Sequence, residues 1–183
     1  MSTIVVLSGS PSAVSRTAAL SAHLAERLRL GGHEVRTVHV RDLPAEALLS
    51  ADTGHPRIAE VVGLVGEADG VLVASPVYKA AYSGLLKTLL DLLPQFAFAG
   101  KVVLPIVTGG SPAHVLAIDY ALRPVLTSLG ADHVVPGWFV LDRHITIRGD
   151  EAGLDPDHAA PLYRVVDAFA AAVAARRPLL AAS

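Results

Sequence analysis

The chain has 183 residues with 17 acidic and 15 basic side chains, a formal charge of −2, and no cysteine. A chain of that size closes one domain around its own core, and without cysteine it holds no disulfide, thiol nucleophile, thiolate zinc site or cysteine-bound iron–sulfur cluster, so redox chemistry must use a borrowed cofactor. The near-neutral charge provides no broad positive field for nucleic acid or an anionic membrane; although 52% of residues are hydrophobic, polar residues break every apolar run short of the about 18 residues of a membrane span.

The opening Met1-Ser2-Thr3 lacks the basic start and long apolar stretch of a signal peptide, so a cytoplasmic protein from which nothing is cleaved is expected. Ile4-Val5-Val6-Leu7 reads as a buried strand stopped by Ser8-Gly9-Ser10-Pro11, and Leu20, Leu24 and Leu28 mark a helix that ends at Gly31-Gly32. The unit then repeats. Val35 to Val40 is a second strand followed by a helix from Arg57 to Glu67. Val71 to Ala74 is a third strand, which enters a loop at Ser75 to Ala81 before a helix marked by Leu85, Leu86, Leu89, Leu90 and Leu93. Lys101 to Val107 is the fourth strand, leading through Thr108-Gly109-Gly110-Ser111-Pro112 to a helix over Ala113 to Ser128. Val134 to Leu141 is the fifth strand, His144 to Asp157 a polar excursion, and the last helix follows Pro161. Alternating strands and helices with short loops predict an α/β three-layer sandwich: a five-stranded parallel sheet in the order 2-1-3-4-5 with helices on both faces. One domain over 1–178 is expected, with 179–183 a disordered tail.

In such a sheet ligands bind beyond the C-terminal strand ends, where the strand order reverses. Three unusual loops lie at that edge. Ser8 to Thr17 offers hydroxyls, backbone amides, the Arg16 guanidinium and a helix N-terminus, a cradle for a phosphate monoester, although Ser15 and Thr17 also suit plain helix caps. It carries neither a dinucleotide GxGxxG nor a P-loop pattern, so a mononucleotide fits better. Ser75 to Gly84, with Pro76, Tyr78, Lys79 and Tyr82, can wall a flat ring, or its tyrosines can be ordinary packing. Thr108-Gly109-Gly110-Ser111 permits close backbone approach to a ring edge, or is a simple strand-to-helix turn.

Pro124 has no N–H to bond the Tyr120 carbonyl four residues earlier, which strains a straight helix. A π-turn, in which the Val125 N–H reaches the Tyr120 carbonyl, relieves this; such turns often accompany functional sites. Asp119 and Arg123 are spaced for a surface ion pair. The eight histidines show no HExxH or other close ligand spacing; solvated or capping roles, and no metal, are expected.

At these residues the chain resembles the NADPH-dependent FMN reductase family, especially the reductase components of two-component alkanesulfonate monooxygenase systems. The likeness is strongest from Ala74 to Pro94 and continues through Gly100 to Pro105, Thr108 to Gly110, Ala113-His114 and Asp119 to Leu126. It implies a flavodoxin-like fold with FMN and NADPH as cofactors. Ser10, Ser15, Arg16 and Thr17 would hold the FMN phosphate, Pro76, Val77, Tyr78 and Lys79 would flank the isoalloxazine, and Thr108, Gly109, Gly110 and Ser111 would touch its edge. Many relatives carry Arg directly after Gly-Ser-Pro, where this chain has Ser12, which leaves Arg16 as the one phosphate guanidinium in the loop. The resemblance also puts Tyr120 in a π-helix at a subunit interface near the flavin and implies a homo-oligomer, a tetramer in the family pattern, handing reduced FMN to a flavin-dependent monooxygenase.

Hydride transfer from nicotinamide to flavin needs no protein acid or base, so the protein orients and screens. Lys79 and the Gly109-Gly110 amides are candidates for electrostatic support, and Tyr120 for covering the ring. Two alternatives stay open: an FMN-retaining quinone or azo reductase, and a flavodoxin-type electron carrier. The chain lacks the acidity and the Thr-rich loop of the carrier.

Overall fold

The computed structural model describes residues 1–148 and 151–180, with the backbone alone for 148, 151 and 177–180. Its sheet has β1 (Thr3–Ser8), β2 (Glu34–His39), β3 (Gly70–Tyr78) and β5 (Val102–Gly109) running parallel in the order β2-β1-β3-β5. β1, β3 and β5 are buried on both faces, and so their sequences read as continuous apolar runs without polar alternation. Side-chain alternation divides each strand between two cores. Ile4, Val6, Leu72, Ala74, Leu104 and Ile106 pack against α1 (Arg16–Leu30) and α6 (Pro156–Leu180). Val5, Leu7, Val71, Val73, Val103 and Val107 pack against α2 (Ala45–Leu49), α3 (Pro56–Glu67), α4 (Gly84–Leu90) and α5 (Arg123–Ser128).

The fifth strand position keeps its expected place but is broken. β6 (His133–Val134) and β7 (Trp138–Leu141) each pair parallel with β5, and Val135 to Gly137 lies between them. Pro136 can donate no ladder bond, and a Cβ on Gly137 would sit 2.7 Å from the Pro105 carbonyl and 2.8 Å from Ile118 Cγ2, so the chain passes too close to its neighbours to stay paired. The sheet therefore has seven strands rather than five, with β4 (Ala81–Tyr82) added antiparallel to β3.

Other expectations change similarly. The loop placed at Ser75 to Ala81 is mostly strand, since β3 continues to Tyr78 and turns back as a hairpin. The polar excursion at His144 to Asp157 contains the hairpin β8 (Ile145–Arg148) and β9 (Glu151–Leu154). The last helix starts at Pro156, ahead of Pro161, because Asp155 provides a cap: its Oδ1 accepts the Asp157 N–H at 3.1 Å, and its carbonyl accepts those of His158 and Ala159 at 2.9 Å. That helix reaches Leu180; the rest of the expected tail lies outside the described residues. Among the described residues no helix is long and apolar enough to cross a membrane.

α6 approaches the sheet closely because Gly70 has no side chain; a Cβ there would lie 2.6 Å from Val173 Cγ2 and 3.0 Å from Phe169 Cζ. Against α1 it is held by Arg27, which grips Asp167 at 2.8 Å and lies 4.3 Å over the Tyr163 ring, and by His23 Nε2, 2.7 Å from the Tyr163 hydroxyl. Burial, then the Arg27 charge, lowers the His23 pKa below its ordinary 6.5, and burial does the same to His39. Because both are depressed in the folded state, the unfolded chain takes up protons first as pH falls. Their contribution to stability is complete above 6.5 and is lost below it. The urea midpoint should accordingly fall as pH drops through that value, and His23→Gln should flatten the dependence; an unchanged slope would remove His23 from the effect.

Candidate functional site

The strand register brings the ends of β1, β3, β5 and β7 to one edge, with Ser8 beside Ala74, Pro76 beside Thr108 and Gly109 beside Leu141. The first loop is drawn onto α4: the Gly9 N–H donates to the Ala74 carbonyl at 2.8 Å, and the Ser83 hydroxyl donates to the Gly9 carbonyl at 2.6 Å. A Cβ on Gly9 would meet Leu86 Cβ at 2.6 Å, so glycine is required by that packing. Further along, Ser10 is buried and donates to the Ser12 carbonyl at 3.3 Å, which Arg41 also reaches at 3.1 Å. Ser15 is the N-cap of α1, its Oγ accepting the Ala18 N–H at 3.0 Å. The amides of Arg16 and Thr17 are then those that a helix start leaves free for a ligand.

The second and third loops are tied to the first. Ser75 Oγ accepts the Ser83 N–H at 2.8 Å, and Thr17 Oγ1 meets Thr108 Oγ1 at 2.7 Å in the interior. Beyond Ser75, Lys79 and Ala80 have φ of 50° and 65° between the paired Tyr78 and Ala81. Two successive left-handed residues make the tight turn that suits a hairpin twist, normally filled by Asn-Gly, so this turn holds backbone strain. A Cβ on Gly109 would lie 3.0 Å from the Phe139 ring, so the third loop rests directly on an aromatic side chain.

These loops enclose a cavity of about 260 Å³ lined by Ser10, Ser12, Val14, Ser15, Arg16, Thr17, Pro76, Val77, Tyr78, Thr108, Gly109, Gly110 and Asp142. Ten of the twelve residues predicted to bind cofactor are among them. Lys79 is exposed at the hairpin apex, and Ser111 is turned to cap the following helical turn, its Oγ accepting the Ala113 N–H at 3.3 Å; neither lines the cavity. Asp142 is the residue that sequence reasoning missed. It follows β7 directly, so the rule that selected the other loops would have found it had the edge been followed one strand further. Arg16 and Asp142, neither ion-paired with another described residue, face both the cavity and the hollow of about 520 Å³ that adjoins it, which Arg143 also lines.

Beside β4 the chain forms the expected π-helical turn, over Ile118–Leu122. Its register differs from expectation: the Arg123 N–H donates to the Ile118 carbonyl, two residues before the bond expected at Val125. The wide turn is completed before Pro124, which then falls in the first turn of α5, where a missing N–H costs nothing. Arg123 Nε donates to Asp119 Oδ1 at 2.8 Å, the expected surface pair. Tyr120 is 79% exposed and lies outside the cavity, forming with Val115 and Leu116 an apolar patch.

A family model described as NADPH-dependent FMN reductase matches residues 2–146. An "FMN reductase (NADPH)" of Pseudomonas putida is 51% identical over 142 residues, 78% of this chain and 72% of the relative. One of Escherichia coli with the same name is 46% identical, covering 78% of this chain and 74% of the relative. The solved apo structure of the NADH:FMN oxidoreductase EmoB superposes with a TM-score of 0.85 at 44% identity, covering 94% of this chain and 90% of that one.

The hydroxyl pair that joins the first and third loops is testable by itself. Thr17→Val leaves the buried Thr108 hydroxyl without its partner and should cost about 1–3 kcal/mol in urea unfolding. The double replacement Thr17→Val with Thr108→Val removes both polar groups and should cost less than the sum of the single changes; strict additivity would show that the two hydroxyls do not interact.

Proposed function

The chain belongs to the NADPH-dependent FMN reductase family, and from that premise we propose how its residues carry out the reaction. The protein is an oxidoreductase in which NAD(P)H reduces FMN. Bound FMN supplies the ring that takes the hydride from nicotinamide; the protein binds, orients and screens. The observation carrying the residue assignment is the convergence of all three loops on one cavity.

The residues present fit FMN. The phosphate end has the helix-start amides of Arg16 and Thr17, the Ser15 hydroxyl and the Arg16 guanidinium, a donor set suited to a dianion, while the Ser10 and Ser12 hydroxyls already donate to the Ser12 and Val14 carbonyls and would have to turn to join it. The ring end has Pro76, Val77 and Tyr78 on one side and the Gly109-Gly110 backbone on the other, and Gly110 has nothing nearer than Asp142 Oδ2 at 3.9 Å from a Cβ position, so the backbone is approachable. Asp142 opposes the phosphate electrostatically and favours exchange of flavin over retention.

The cavity of one subunit, about 260 Å³, adjoins a hollow of about 520 Å³ and is open to solvent. We therefore assign its cover to a second copy, within a homotetramer in which the Val115, Leu116 and Tyr120 patch is buried and Tyr120 lies over the flavin. Lys79, at the hairpin apex, provides positive charge at the same rim. A reductase whose site exchanges its flavin fits delivery of reduced FMN to a separate flavin-dependent monooxygenase.

In steady-state assays NADPH oxidation should depend on added free FMN; oxidation that ignores free FMN and needs a quinone would overturn this reading. Arg16→Ala should weaken FMN binding by about 1–3 kcal/mol, the worth of a charge-assisted hydrogen bond. Asp142→Asn should strengthen it by up to about 1 kcal/mol, the scale of an exposed charge interaction. Opposite signs for the two in an FMN titration are the expected result.

Deleting Tyr120 removes the extra residue of the π-turn and should restore α-helical register. Turnover of free FMN should fall and the oligomer mass change, while FMN still binds. If turnover, flavin content after gel filtration and mass all match the wild type, Tyr120 has no part in the site.

A further inference from the structure

Away from the flavin cavity, three side chains meet where the turn after β7 touches the start of α6. His144 Nδ1 and His158 Nδ1 each lie 3.2 Å from the same oxygen, Asp155 Oδ2, and the three side chains offer one ligand atom each within 4.8 Å of the others. The two imidazoles stack with centroids 3.5 Å apart. We propose that His144, Asp155 and His158 form a binding site for a divalent transition cation of the zinc or cobalt class.

The spacing fits the chemistry. Ligands bound at about 2.0–2.1 Å to a tetrahedral ion are about 3.3 Å apart along each edge, and the two nitrogen-to-oxygen separations are 3.2 Å. Two imidazoles and one carboxylate are a donor set favoured by borderline cations over calcium or magnesium. The carboxylate is aimed: Asp155 Oδ1 is taken by the Asp157 N–H at 3.1 Å, which leaves Oδ2 toward the histidines.

His144 is largely buried, and its one hydrogen bond among the described residues is the Nδ1 contact with Asp155 at 3.2 Å. Asp155 Oδ2 accepts from His144 Nδ1, which then carries a proton, and His158 Nδ1 lies equally near; a cation replaces that proton and takes both nitrogens as ligands. The stacked rings would fan apart to aim both lone pairs at one ion. His144 and His158 also line a cavity of about 480 Å³, which leaves room for water at a fourth position. The rival is a bare helix cap, in which Asp155 simply collects two imidazole N–H donors.

The test uses the untagged full chain, stripped with a chelator and free of flavin, so its outcome does not depend on the FMN assignment. Cobalt(II) should bind at one ion per chain with the intense visible absorption of a tetrahedral site, and zinc(II) should displace it. His158→Ala, on the exposed side of the cluster, and Asp155→Asn should each weaken binding by more than about tenfold. Zinc should raise the thermal midpoint of the wild type and not that of His158→Ala, with matching circular dichroism showing that the variant folds. Absence of saturable binding by either metal, or binding that survives both substitutions, would overturn the proposal and leave the cap.

Discussion

Thr17 and Thr108 come from elements ninety-one positions apart in the chain and share one buried hydrogen bond of 2.7 Å. The cavity depends on that kind of tie. Ser83 holds the Gly9 carbonyl while its own amide is held by Ser75, so short hydroxyl side chains link the loops after β1, β3 and β5 where no backbone ladder can. Each bond adds little to net stability, but a loop whose buried polar groups lost these partners would bear the full desolvation cost. This is why the loops stay open toward a ligand without closing on one another.

The same network revises what a hydroxyl-rich loop means. Read as sequence, Ser10, Ser15 and Thr17 are phosphate donors. In the fold Ser15 caps α1, Ser10 turns to the Ser12 carbonyl and Thr17 is committed to Thr108. A capping oxygen can still donate its own proton outward, so the cap and ligand roles of Ser15 coexist. The donors most free for an anion are nevertheless backbone amides and Arg16, which carry no recognisable pattern beyond a helix start.

The sheet order was legible because strands buried on both faces must be apolar throughout, and three such runs separated by helices leave few topologies. Features that depend on close approach were hidden. Pro136-Gly137 is a local breaker signal inside the expected strand, but the close approach of Pro105 and Ile118 to Gly137 shows only in the fold. The hairpin at Lys79-Ala80 was invisible for a related reason, since neither residue favours the positive φ that both adopt. Asp142 was missed because the strand before it lay at the end of the order, while the histidine cluster shows in sequence only as Asp155 and His158 three apart, and the capping of α6 brings His144 to them.

The π-turn shows how far a local rule reaches. Pro124 dictates that a helix cannot run straight through it, and that much needs no structure. It does not dictate where the extra residue goes. Placing it at Ile118–Leu122 satisfies two constraints together: Ile118 and Leu122 remain in the core, and Pro124 enters α5 where its missing donor is harmless. The residue displaced outward between those anchors is Tyr120. Its ring is 79% exposed, so the turn leaves an aromatic side chain in solvent while burying its neighbours. The wide turn thus keeps Ile118 and Leu122 in the core and Pro124 at a harmless position at the cost of leaving the Tyr120 ring in solvent.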